Sequence, residues 1–470
     1  MMTLPKKAQD VIDTLKNAGF EAYAVGGSVR DLLLDRPTKG WDFTTNATPE
    51  DILKIFPDSF YDNQFGTVGI KVKEKGKRKT ENGEDHDEVV DIYEVTTYRS
   101  EKGYTDHRHP DHIAWGKTIE EDLSRRDFTI NAIAFDGKRL LDPYNGQGDI
   151  KEKIIRAVGT ADDRFKEDAL RIMRAVRIAT ERGFMIEETT LSAIKTNVSL
   201  LSQISIERIT NELLRILASE YPADGILLLK NSGILQFILP EFEIAFTIGQ
   251  KSPKRHHIYD VGTHSVMALK FCPSKDPIVR LATLLHDIGK PKTVRTDSTG
   301  LITFFNHEVV GARMIKAIAA HLRLSKKDSE KIYTLVRWHQ FSVDERQTDS
   351  AIRRFIRRVG RDNLNDMLAL RIGDRLGGGA QETSWRLELY KKRLLEVQKQ
   401  PFTVHDLKVN GYDVMTELGV KPGPIIGGVL DQLFAEVEEG KLVNQREALL
   451  TRMRELKSTN LGKVRVGKER

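Results

Sequence analysis

The sequence has few of the features that mark secreted or membrane proteins. It contains a single cysteine, Cys272, so an intramolecular disulfide cannot form. No apolar run approaches the roughly 18 residues of a membrane-spanning helix. No apolar core follows Lys6 and Lys7, which argues against a signal peptide. These absences exclude disulfide-bonded scaffolds and predict a soluble, cytoplasmic protein that does not bind membranes.

What the chain does contain is a globular composition with a mild excess of positive charge. Lysine and arginine outnumber aspartate and glutamate by 74 to 68, a formal net charge of +6. This excess is compatible with a polyanionic partner, although many ordinary proteins share it. The basic segments at 73–79 and 452–470 are equally well explained as solvated faces. The length of 470 residues predicts three or four domains.

The pattern of apolar residues changes along the chain. Strand-like runs occur at 22–25, 66–72 and 89–95, and helical patterns alternate with them. The polar segment 73–87 predicts a long hairpin connection. After residue 150 the pattern is almost entirely helical, with breaks at 251–254 and 377–379. The sequence therefore predicts an α/β part followed by a helical part.

A glycine turn joins the first strand to a helix at Gly26-Gly27-Ser28-Val29-Arg30-Asp31. Glycine lets backbone N–H groups approach phosphate oxygens, and a helix N-terminus adds a favourable field. Arg30 is suited to pair with a phosphate. Such a turn also occurs in proteins that bind no phosphate, so by itself it indicates little.

Asp42 and Glu94 form a candidate pair of metal ligands. Two-metal nucleotidyl transfer needs carboxylates that converge from adjacent strands on divalent cations. One cation lowers the pKa of the attacking 3′-hydroxyl, and the other neutralises the pyrophosphate leaving group. The alternative interpretation is a pair of ordinary charges at strand ends.

The order of these motifs resembles the class II CCA-adding enzymes and bacterial poly(A) polymerases, a branch of the polymerase-β-like nucleotidyltransferases. Their signature is a Gly-Gly turn, an Asp-x-Asp, and Arg-Arg-Asp-Phe-Thr-Ile-Asn-Ala, which this chain has in full at 125–132. The resemblance implies addition of CCA to the 3′ end of tRNA from CTP and ATP, with Mg²⁺ in the head. The resemblance also implies that Asp42, Glu94 and Arg126 are catalytic. The residues that it implies for nucleotide binding include Gly27, Arg30 and Arg126.

One position departs from this family pattern. The first metal aspartate of the family falls on Gly40, which has no side-chain oxygen. Either Asp91 compensates or the catalytic site is weakened. Strand alternation places Asp91 on the face opposite Glu94, unless a β-bulge turns it inward. A tRNA-binding protein with an impaired transferase head is therefore one alternative.

The segment 167–177 has a helical pattern that fits a base-selecting site. Asp168 and Arg171 are three residues apart, so on a helix they share a face and can bond to each other. A fixed carboxylate and guanidinium can read a base edge; taken alone, the pair would be a surface ion pair. In the family this Glu-Asp-x-x-Arg segment selects CTP and then ATP. The resemblance carries that role to Asp168, Arg171, Arg174 and Arg177.

A second candidate metal site lies among the histidines, seven of which fall between residues 256 and 339. Imidazoles and carboxylates from several helices can enclose one or two transition metals, and bound metal can activate water for phosphoester hydrolysis. The set resembles the HD domain of metal-dependent phosphohydrolases. This implies a divalent transition metal of unspecified identity, with hydrolysis or mere support of the tRNA as alternatives. The candidate ligands are His264, His286, Asp287, His307, His339 and Asp374.

Patterns and resemblance together predict an α+β architecture of four parts. These are a polymerase-β-like nucleotidyltransferase head at 1–150, a helical neck and RNA-binding body at 151–250, an HD domain at 251–376, and a helical tRNA-binding tail at 377–470. The tRNA would be recognised mainly by its backbone and shape, and no obligate protein partner is implied. Poly(A) addition, or addition of only CC or only A, remains an alternative.

Overall fold

The computed structural model describes residues 2–38, 40–63, 66–79, 85–102, 112–250, 259–341, 343–382, 384–398 and 404–458. Its N-terminal part mixes strands and short helices. In chain order these are α1 (Lys6–Asn17), β1 (Ala22–Val25), α2 (Gly27–Leu33), β2 (Asp42–Thr45), α3 (Pro49–Ile55), β3 (Ser59–Asn63), β4 (Thr67–Lys79), β5 (Asp85–Thr97), β6 (Arg99–Lys102), β7 (His112–Trp115), α4 (Ile119–Ser124), β8 (Ala134–Phe135), β9 (Leu140–Leu141) and α5 (Gly146–Glu152).

A seven-stranded sheet organises the head, in the order β3-β4-β5-β2-β1-β8-β9. Strands β2 and β5 are parallel neighbours, in a register that places Asp42 directly beside Glu94. The other neighbouring strands of this sheet are antiparallel. Paired residues on adjacent strands point to the same face. The sheet therefore brings together two carboxylates that lie 52 positions apart in sequence.

The polar segment predicted to be a hairpin connection is mostly strand, so that prediction was wrong. Strand β4 continues to Lys79, and β5 begins at Asp85. The ladder includes the pairs Arg78–His86 and Lys79–Asp85. An antiparallel ladder is held by backbone hydrogen bonds, so two adjacent segments can pair without apolar side chains.

After the head the chain is largely helical, as the sequence predicts. The next elements are β10 (Ile154–Ile155), α6 (Ala161–Glu167), α7 (Leu170–Arg182), β11 (Met185–Ile186), α8 (Glu188–Asn197), α9 (Ile206–Ala218), α10 (Pro222–Asn231), α11 (Leu235–Ile238) and α12 (Pro240–Glu243). Helix α7 is buried over much of its surface, including Ile172, Met173 and Val176. The break expected at 251–254 lies outside the described residues.

A second helical group carries the histidines. Its elements are α13 (Val261–Phe271), α14 (Pro277–Leu284), α15 (Lys290–Thr293), β12 (Arg295–Thr296), β13 (Ile302–Thr303), α16 (His307–His321), α17 (Lys326–Trp338), α18 (Asp349–Val359) and α19 (Leu364–Gly377). Helices α13 and α19 approach very closely: a Cβ added to Gly373 would lie 2.5 Å from the Ala268 carbonyl oxygen. Such an approach requires glycine, and it brings Asp374 against His264.

The last helices are α20 (Trp385–Val397), α21 (Gly411–Leu418), α22 (Pro424–Glu438) and α23 (Arg446–Ser458). Buried apolar residues from Ala8 to Val397 form one continuous cluster, and a smaller cluster lies within the head. Residues 407–453 have a separate cluster of their own. The four-part division at residues 150, 250 and 376 stays a prediction.

Among the described residues, no helix combines the length and the apolar character needed to cross a lipid bilayer.

Candidate active site and metal centre

The glycine turn at the end of β1 forms one wall of a cleft in the head. Gly26 has φ +74°, a left-handed conformation that favours glycine. A Cβ at this position would lie 3.0 Å from Arg126 Nη1 and 3.4 Å from Asp42 Oδ2. The turn, Arg126 and Asp42 are therefore in contact. Helix α2 begins at Gly27, so its N-terminal N–H groups are available at this point.

Arg30 is held rigidly beside that turn. Its Nη1 donates to Asn131 Oδ1 at 2.7 Å, and its Nε donates to Asp31 Oδ1 at 2.9 Å. The second oxygen of Asp31 accepts from Arg182 Nη2 at 2.8 Å. Arg30 is buried, so these bonds fix the orientation of its guanidinium. It lines a cavity of about 450 Å³ together with Gly27, Ser28, Gly40, Asp42 and Arg177.

Arg126 lies between the turn and helix α4. Its Nη2 donates to Asp122 Oδ2 at 3.2 Å, and Asp122 also accepts from Arg125 Nη2 at 2.7 Å. The Nε of Arg126 is buried and has no hydrogen-bond partner among the described residues. A buried donor without a partner is costly. An anion bound beside this side chain would supply the missing acceptor.

Asp42 and Glu94 stand side by side on the exposed face of β2 and β5. The Asp42 carboxylate reaches solvent through the cleft, yet the surrounding protein desolvates it and raises its pKa. The positive charges of Arg126, Arg174 and Arg30 oppose that rise. Neighbouring carboxylate oxygens are the ligands that Mg²⁺ prefers. The two residues fit a magnesium site, with two of the three carboxylates that the family pattern has.

Gly40 leaves the third position without an oxygen ligand. It has φ +70°, and a Cβ built on it would meet no atom of the described residues within 4 Å. Asp91 is not placed to compensate. A bulge is present in β5, but it falls at Val90, and the register from Asp91 to Glu94 is regular. Asp91 therefore shares the face of Tyr93, opposite Glu94.

The expected pair between Asp168 and Arg171 does not form, which corrects the prediction. Arg171 Nη1 donates instead to Glu167 Oε2 at 2.6 Å, and its Nη2 donates to the Arg125 carbonyl at 2.8 Å. The reason is a break in the helix: α6 ends at Glu167, and Asp168 is extended, with φ −138° and ψ 102°. Asp168 Oδ1 accepts from the Leu170 amide at 3.0 Å.

Arg174 and Arg177 also have acidic partners from distant segments. Arg174 donates to Asp127 Oδ2 through Nε at 2.8 Å and Nη2 at 2.6 Å. Desolvation would raise the pKa of Asp127, but Arg174 and a bond from Asn131 outweigh it and hold that pKa below its usual value. Arg177 bonds to Glu212 of α9. Arg174 thus ties α7 to the 125–132 segment of the head.

Sequence reasoning missed several residues of this region. Glu167 is the glutamate of the Glu-Asp-x-x-Arg segment, but its bond to Arg171 crosses the break between α6 and α7, which sequence spacing does not predict. Asp127 and Arg208 left no local signal, because their partners lie far away in sequence. A cavity of about 310 Å³ lies between the 125–132 segment and the start of α7, and is lined by Arg99, Arg126, Asp168, Arg171, Arg174 and Arg208.

The six predicted ligands of the second metal site converge in the helical body. His264, His286 and Asp374 form one group of converging ligand atoms, and Asp287, His307 and His339 form another. His264 Nε2 lies 3.2 Å from Asp374 Oδ1. His307 Nε2 lies 3.1 Å from Asp287 Oδ1. Helices α13, α16 and α19, with the ends of α14 and α17, supply these side chains.

Backbone carbonyls orient three of the imidazoles. The Nδ1 atoms of His286, His307 and His339 lie 2.7–2.8 Å from the carbonyl oxygens three residues earlier, so each can donate there and turn its Nε2 inward. Such outer bonds are typical of metal-ligating histidine. His286 Nε2 faces Asp287 Oδ2 at 3.2 Å and Asp374 Oδ1 at 3.6 Å without a well-oriented hydrogen bond. This buried nitrogen and the donor set fit a divalent transition metal.

Charge in this centre is concentrated around Asp287. Lys290 Nζ lies 2.6 Å from Asp287 Oδ2 and also donates to Gln250 Oε1 at 2.6 Å. Burial alone would lower the pKa of His286, but Asp287 and Asp374 raise it to about 10. Burial and the neighbouring His286 lower the pKa of His339 to about 3. The centre is thus a compact, strongly coupled set of ionisable groups.

Comparison with known proteins gives matches along most of the chain. Family models match a "Poly A polymerase head domain" at 22–156, a "Probable RNA and SrmB-binding site of polymerase A" at 183–246, and a putative "tRNA nucleotidyltransferase domain 2" at 296–453. A CCA-adding enzyme of Ligilactobacillus salivarius is 32% identical over 455 residues, with 96% of each chain covered. One of Lactococcus lactis subsp. cremoris is 32% identical over 461 residues, again with 96% of each covered.

Solved structures agree with these matches. The Bacillus stearothermophilus CCA-adding enzyme in complex with CTP superimposes with a TM-score of 0.69 at 28% identity, covering 97% of this chain and 98% of that one. The Thermotoga maritima CCA-adding enzyme complexed with tRNA has a TM-score of 0.60 at 21% identity, with 97% of each chain covered. The second likeness shows a shared fold.

Proposed function

The chain belongs to the family of CCA-adding enzymes, and from that premise we propose that it adds CCA to the 3′ end of tRNA from CTP and ATP. The observation that carries the proposal is the contact between the Gly26 turn, Arg126 and Asp42, with Glu94 beside Asp42. This contact joins an anion-binding cleft to a pair of metal-binding carboxylates. The relatives with this name support the substrate assignment.

The residues of the head have separable tasks in this reaction. The backbone at Gly27 and the guanidinium groups of Arg30 and Arg126 bind the triphosphate. Asp42 and Glu94 would hold magnesium in the same cleft. When bound, magnesium lowers the pKa of the attacking 3′-hydroxyl and neutralises the pyrophosphate that leaves. Holding the reactants in line within a fixed cleft supplies much of the remaining rate enhancement.

Base selection falls to the cavity at the start of α7. Asp168, Arg171 and Arg174 line this cavity and are each held by bonds to protein groups, so their orientation exists before a nucleotide arrives. Arg177 is also held by an acidic partner, but it lines the cavity beside Gly27 instead. A fixed carboxylate acceptor and fixed guanidinium donors can select cytosine and adenine through hydrogen bonds to the edges of these bases. Since protein groups make this choice, no nucleic-acid template is needed.

Sequencing of the reaction products tests the proposal against its alternatives. The protein is incubated with tRNA that ends in the discriminator base, in CC or in CCA, with CTP and ATP. We expect completion to CCA on the first two substrates and no extension of the third. Long adenosine tails would identify a poly(A) polymerase, and arrest after CC or addition of A alone would identify a partial enzyme. The absence of any addition would support a tRNA-binding protein with a lapsed head.

We also propose that the six converging histidines and aspartates, called here the HD centre, bind a divalent transition metal and hydrolyse phosphoesters. The observation in support is the convergence of six ligands, with His286 Nε2 buried between two carboxylates and bonded well to neither. A bound metal would activate a water molecule there. Metal analysis of the purified protein, followed by assay on a generic phosphomonoester with Mn²⁺, Co²⁺ or Ni²⁺, tests both statements separately. If the protein contains metal but hydrolyses no phosphomonoester, the role of the centre is structural.

A further inference from the structure

An aromatic residue stands in the same row of the sheet as the two carboxylates of the head. Phe60 of β3 is paired with Gly69 of β4, and Gly69 is paired with Glu94 of β5. Glu94 in turn lies beside Asp42 of β2. Because paired residues point to the same face of a sheet, the ring of Phe60 lies on the face of the carboxylates. It starts two strands away from Glu94, a backbone distance of roughly 10 Å.

The ring of Phe60 leans from its own strand over β4. A Cβ built on Gly69 would lie 2.6 Å from Cζ of the ring, 2.9 Å from Cε1 and 3.1 Å from Cε2. Distances this similar place Gly69 under the face of the ring and not beyond its edge. The backbone of Gly69 is not left-handed, so the close approach of the ring is what requires glycine here. The tip of the ring therefore extends towards Glu94.

The surface beside this ring is apolar and positively charged. Ile92 lies two residues before Glu94 on the same face of β5 and is 46% exposed. Lys71, its partner on β4, is exposed, and its Nζ lies 5.8 Å from the centroid of the Phe60 ring. Phe60 itself is half-buried. An accessible ring with a cation beside it suits single-stranded nucleic acid, because bases stack on the ring and the cation attracts the backbone.

The geometry of nucleotidyl transfer indicates which substrate lies at this surface. The attacking oxygen approaches the α-phosphorus from the side opposite the leaving pyrophosphate. The proposed triphosphate site, at the Gly26 turn and Arg126, lies on the β1 side of Asp42. The nucleotide that carries the attacking 3′-hydroxyl therefore belongs on the other side, over β5 and β4, which is where the ring lies.

We infer that Phe60 binds the tRNA directly: its ring stacks on the 3′-terminal base and holds the terminal ribose beside Glu94. The inference rests on the proposed nucleotide addition. The terminal base changes during synthesis, from the discriminator base to the first and then the second cytosine. Since every base has a π-face, one stacking surface serves all three additions, whereas hydrogen bonds to a particular base edge would not.

The experiment compares kcat/KM of CMP incorporation on tRNA with a normal 3′-terminal nucleotide and on tRNA whose terminal nucleotide is abasic. Phe60→Leu removes the aromatic face but stays apolar, Phe60→Tyr keeps the face, and Gly69→Ala displaces the ring. The control is Tyr61→Leu, which removes an aromatic ring from the opposite face of the same strand, where Tyr61 pairs with Val68.

On normal tRNA we expect Phe60→Leu and Gly69→Ala to lose about tenfold in kcat/KM, with an unchanged KM for CTP. Phe60→Tyr and Tyr61→Leu should stay close to the wild type. On abasic tRNA the wild type should itself be about tenfold slower, and Phe60→Leu should lose little more. Equal losses by Phe60→Leu on both substrates, in a protein that thermal unfolding shows to be folded, would overturn the inference in favour of a structural role.

A second measurement needs no catalysis and can be made on the wild type alone. The terminal base is replaced by 2-aminopurine, whose fluorescence falls when it stacks, on a 3′-deoxy end that cannot be extended. Binding to the wild type with CTP present should quench this fluorescence, and binding to Phe60→Leu should quench it much less. Such quenching in a protein that adds nothing to tRNA would refute the proposed addition and uphold the role of Phe60. Addition of CCA without quenching would uphold the addition and refute that role.

Discussion

Arg171, at the start of α7, is held by Glu167, the last residue of α6, through a hydrogen bond of 2.6 Å, and Asp168 accepts from Arg208 instead. The two groups expected to form one pair are thus oriented by separate partners. Each can be disturbed on its own, because neither depends on the other for its position. The cavity proposed to select the base therefore allows its acceptor, Asp168, and its donor, Arg171, to be tested independently.

Substitution of Arg171 by alanine should reduce discrimination between CTP and other nucleotides more than it weakens triphosphate binding. The guanidinium lines the cavity at the start of α7, whereas Arg30 and Gly27 line the cavity proposed to bind the triphosphate. Glu167→Gln should have the same effect in a milder form, since a neutral amide holds the guanidinium less firmly. The measurements are kcat/KM for each nucleotide and binding of pyrophosphate. An unchanged nucleotide preference with altered pyrophosphate binding would contradict the role assigned to Arg171.

Gly40→Asp should accelerate nucleotide addition. The change supplies a third carboxylate at a position where the described residues leave room for a Cβ, and aspartate tolerates the left-handed backbone better than most residues do. Loss of one electrostatic element from an active site commonly costs about 10²–10³ in rate, so a gain approaching that size is expected. The assay is single-turnover CMP incorporation at saturating magnesium.

Asp91→Ala is the matched control for the Gly40 experiment. It should leave the rate close to that of the wild type, because Asp91 lies on the face of β5 opposite Glu94. An inactive Asp91→Ala protein, together with no gain from Gly40→Asp, would show that Asp91 supplies the third ligand after all.

The double change His286→Ala and Asp287→Ala should abolish metal binding by the HD centre while nucleotide addition remains measurable. Each ligand group loses one member, and the head carboxylates belong to a different part of the fold. Metal content by mass spectrometry is the primary measurement, with phosphoesterase and CMP incorporation beside it. If a folded double variant lost both activities, the two reactions would share one site.

Asp127→Asn should destabilise the protein in a pH-dependent way. The pKa of Asp127 is lower in the folded chain than in the unfolded one. Its stabilising effect is therefore complete above the unfolded pKa of about 3.9 and is lost as the pH falls below it. Because Arg174 is partly exposed, we expect Asp127→Asn to lower the free energy of unfolding by about 2 kcal/mol near neutral pH, which is less than for a fully buried pair. Urea unfolding at several pH values should show that the difference in free energy of unfolding between variant and wild type becomes smaller in acid. A difference that does not change with pH would argue against the ion pair as its source.

The parts of the fold that sequence predicted well are those with local signals. The strand at Ala22–Val25, the glycine turn and the helix after it depend on neighbouring residues, and the structure has them where expected. The α+β head followed by helices is likewise confirmed. The six histidine and aspartate positions came from a resemblance, and the structure brings them together. Their role as metal ligands stays a prediction, as does the cytoplasmic location.

The parts that sequence missed depend on partners far along the chain. Residues 73–79 look like a loop because they are polar, yet pairing with β5 makes them a strand. The bond that Arg208 donates to Asp168 spans 40 positions, and the one that Arg174 donates to Asp127 spans 47. Helical spacing alone suggested the nearer pair, Asp168 with Arg171. The break of the helix after Glu167 changed which carboxylate faces Arg171.

The separate apolar cluster at 407–453 has a consequence for the cooperativity of the whole molecule. It shares no buried residue with the main cluster, and Arg353 and Arg357 of α18 contact Glu438 of α22 through polar groups. Two separate apolar cores can melt at different temperatures, so we expect two unfolding transitions rather than a single midpoint. A ligand that bound to both parts at once would couple them and merge the two transitions into one.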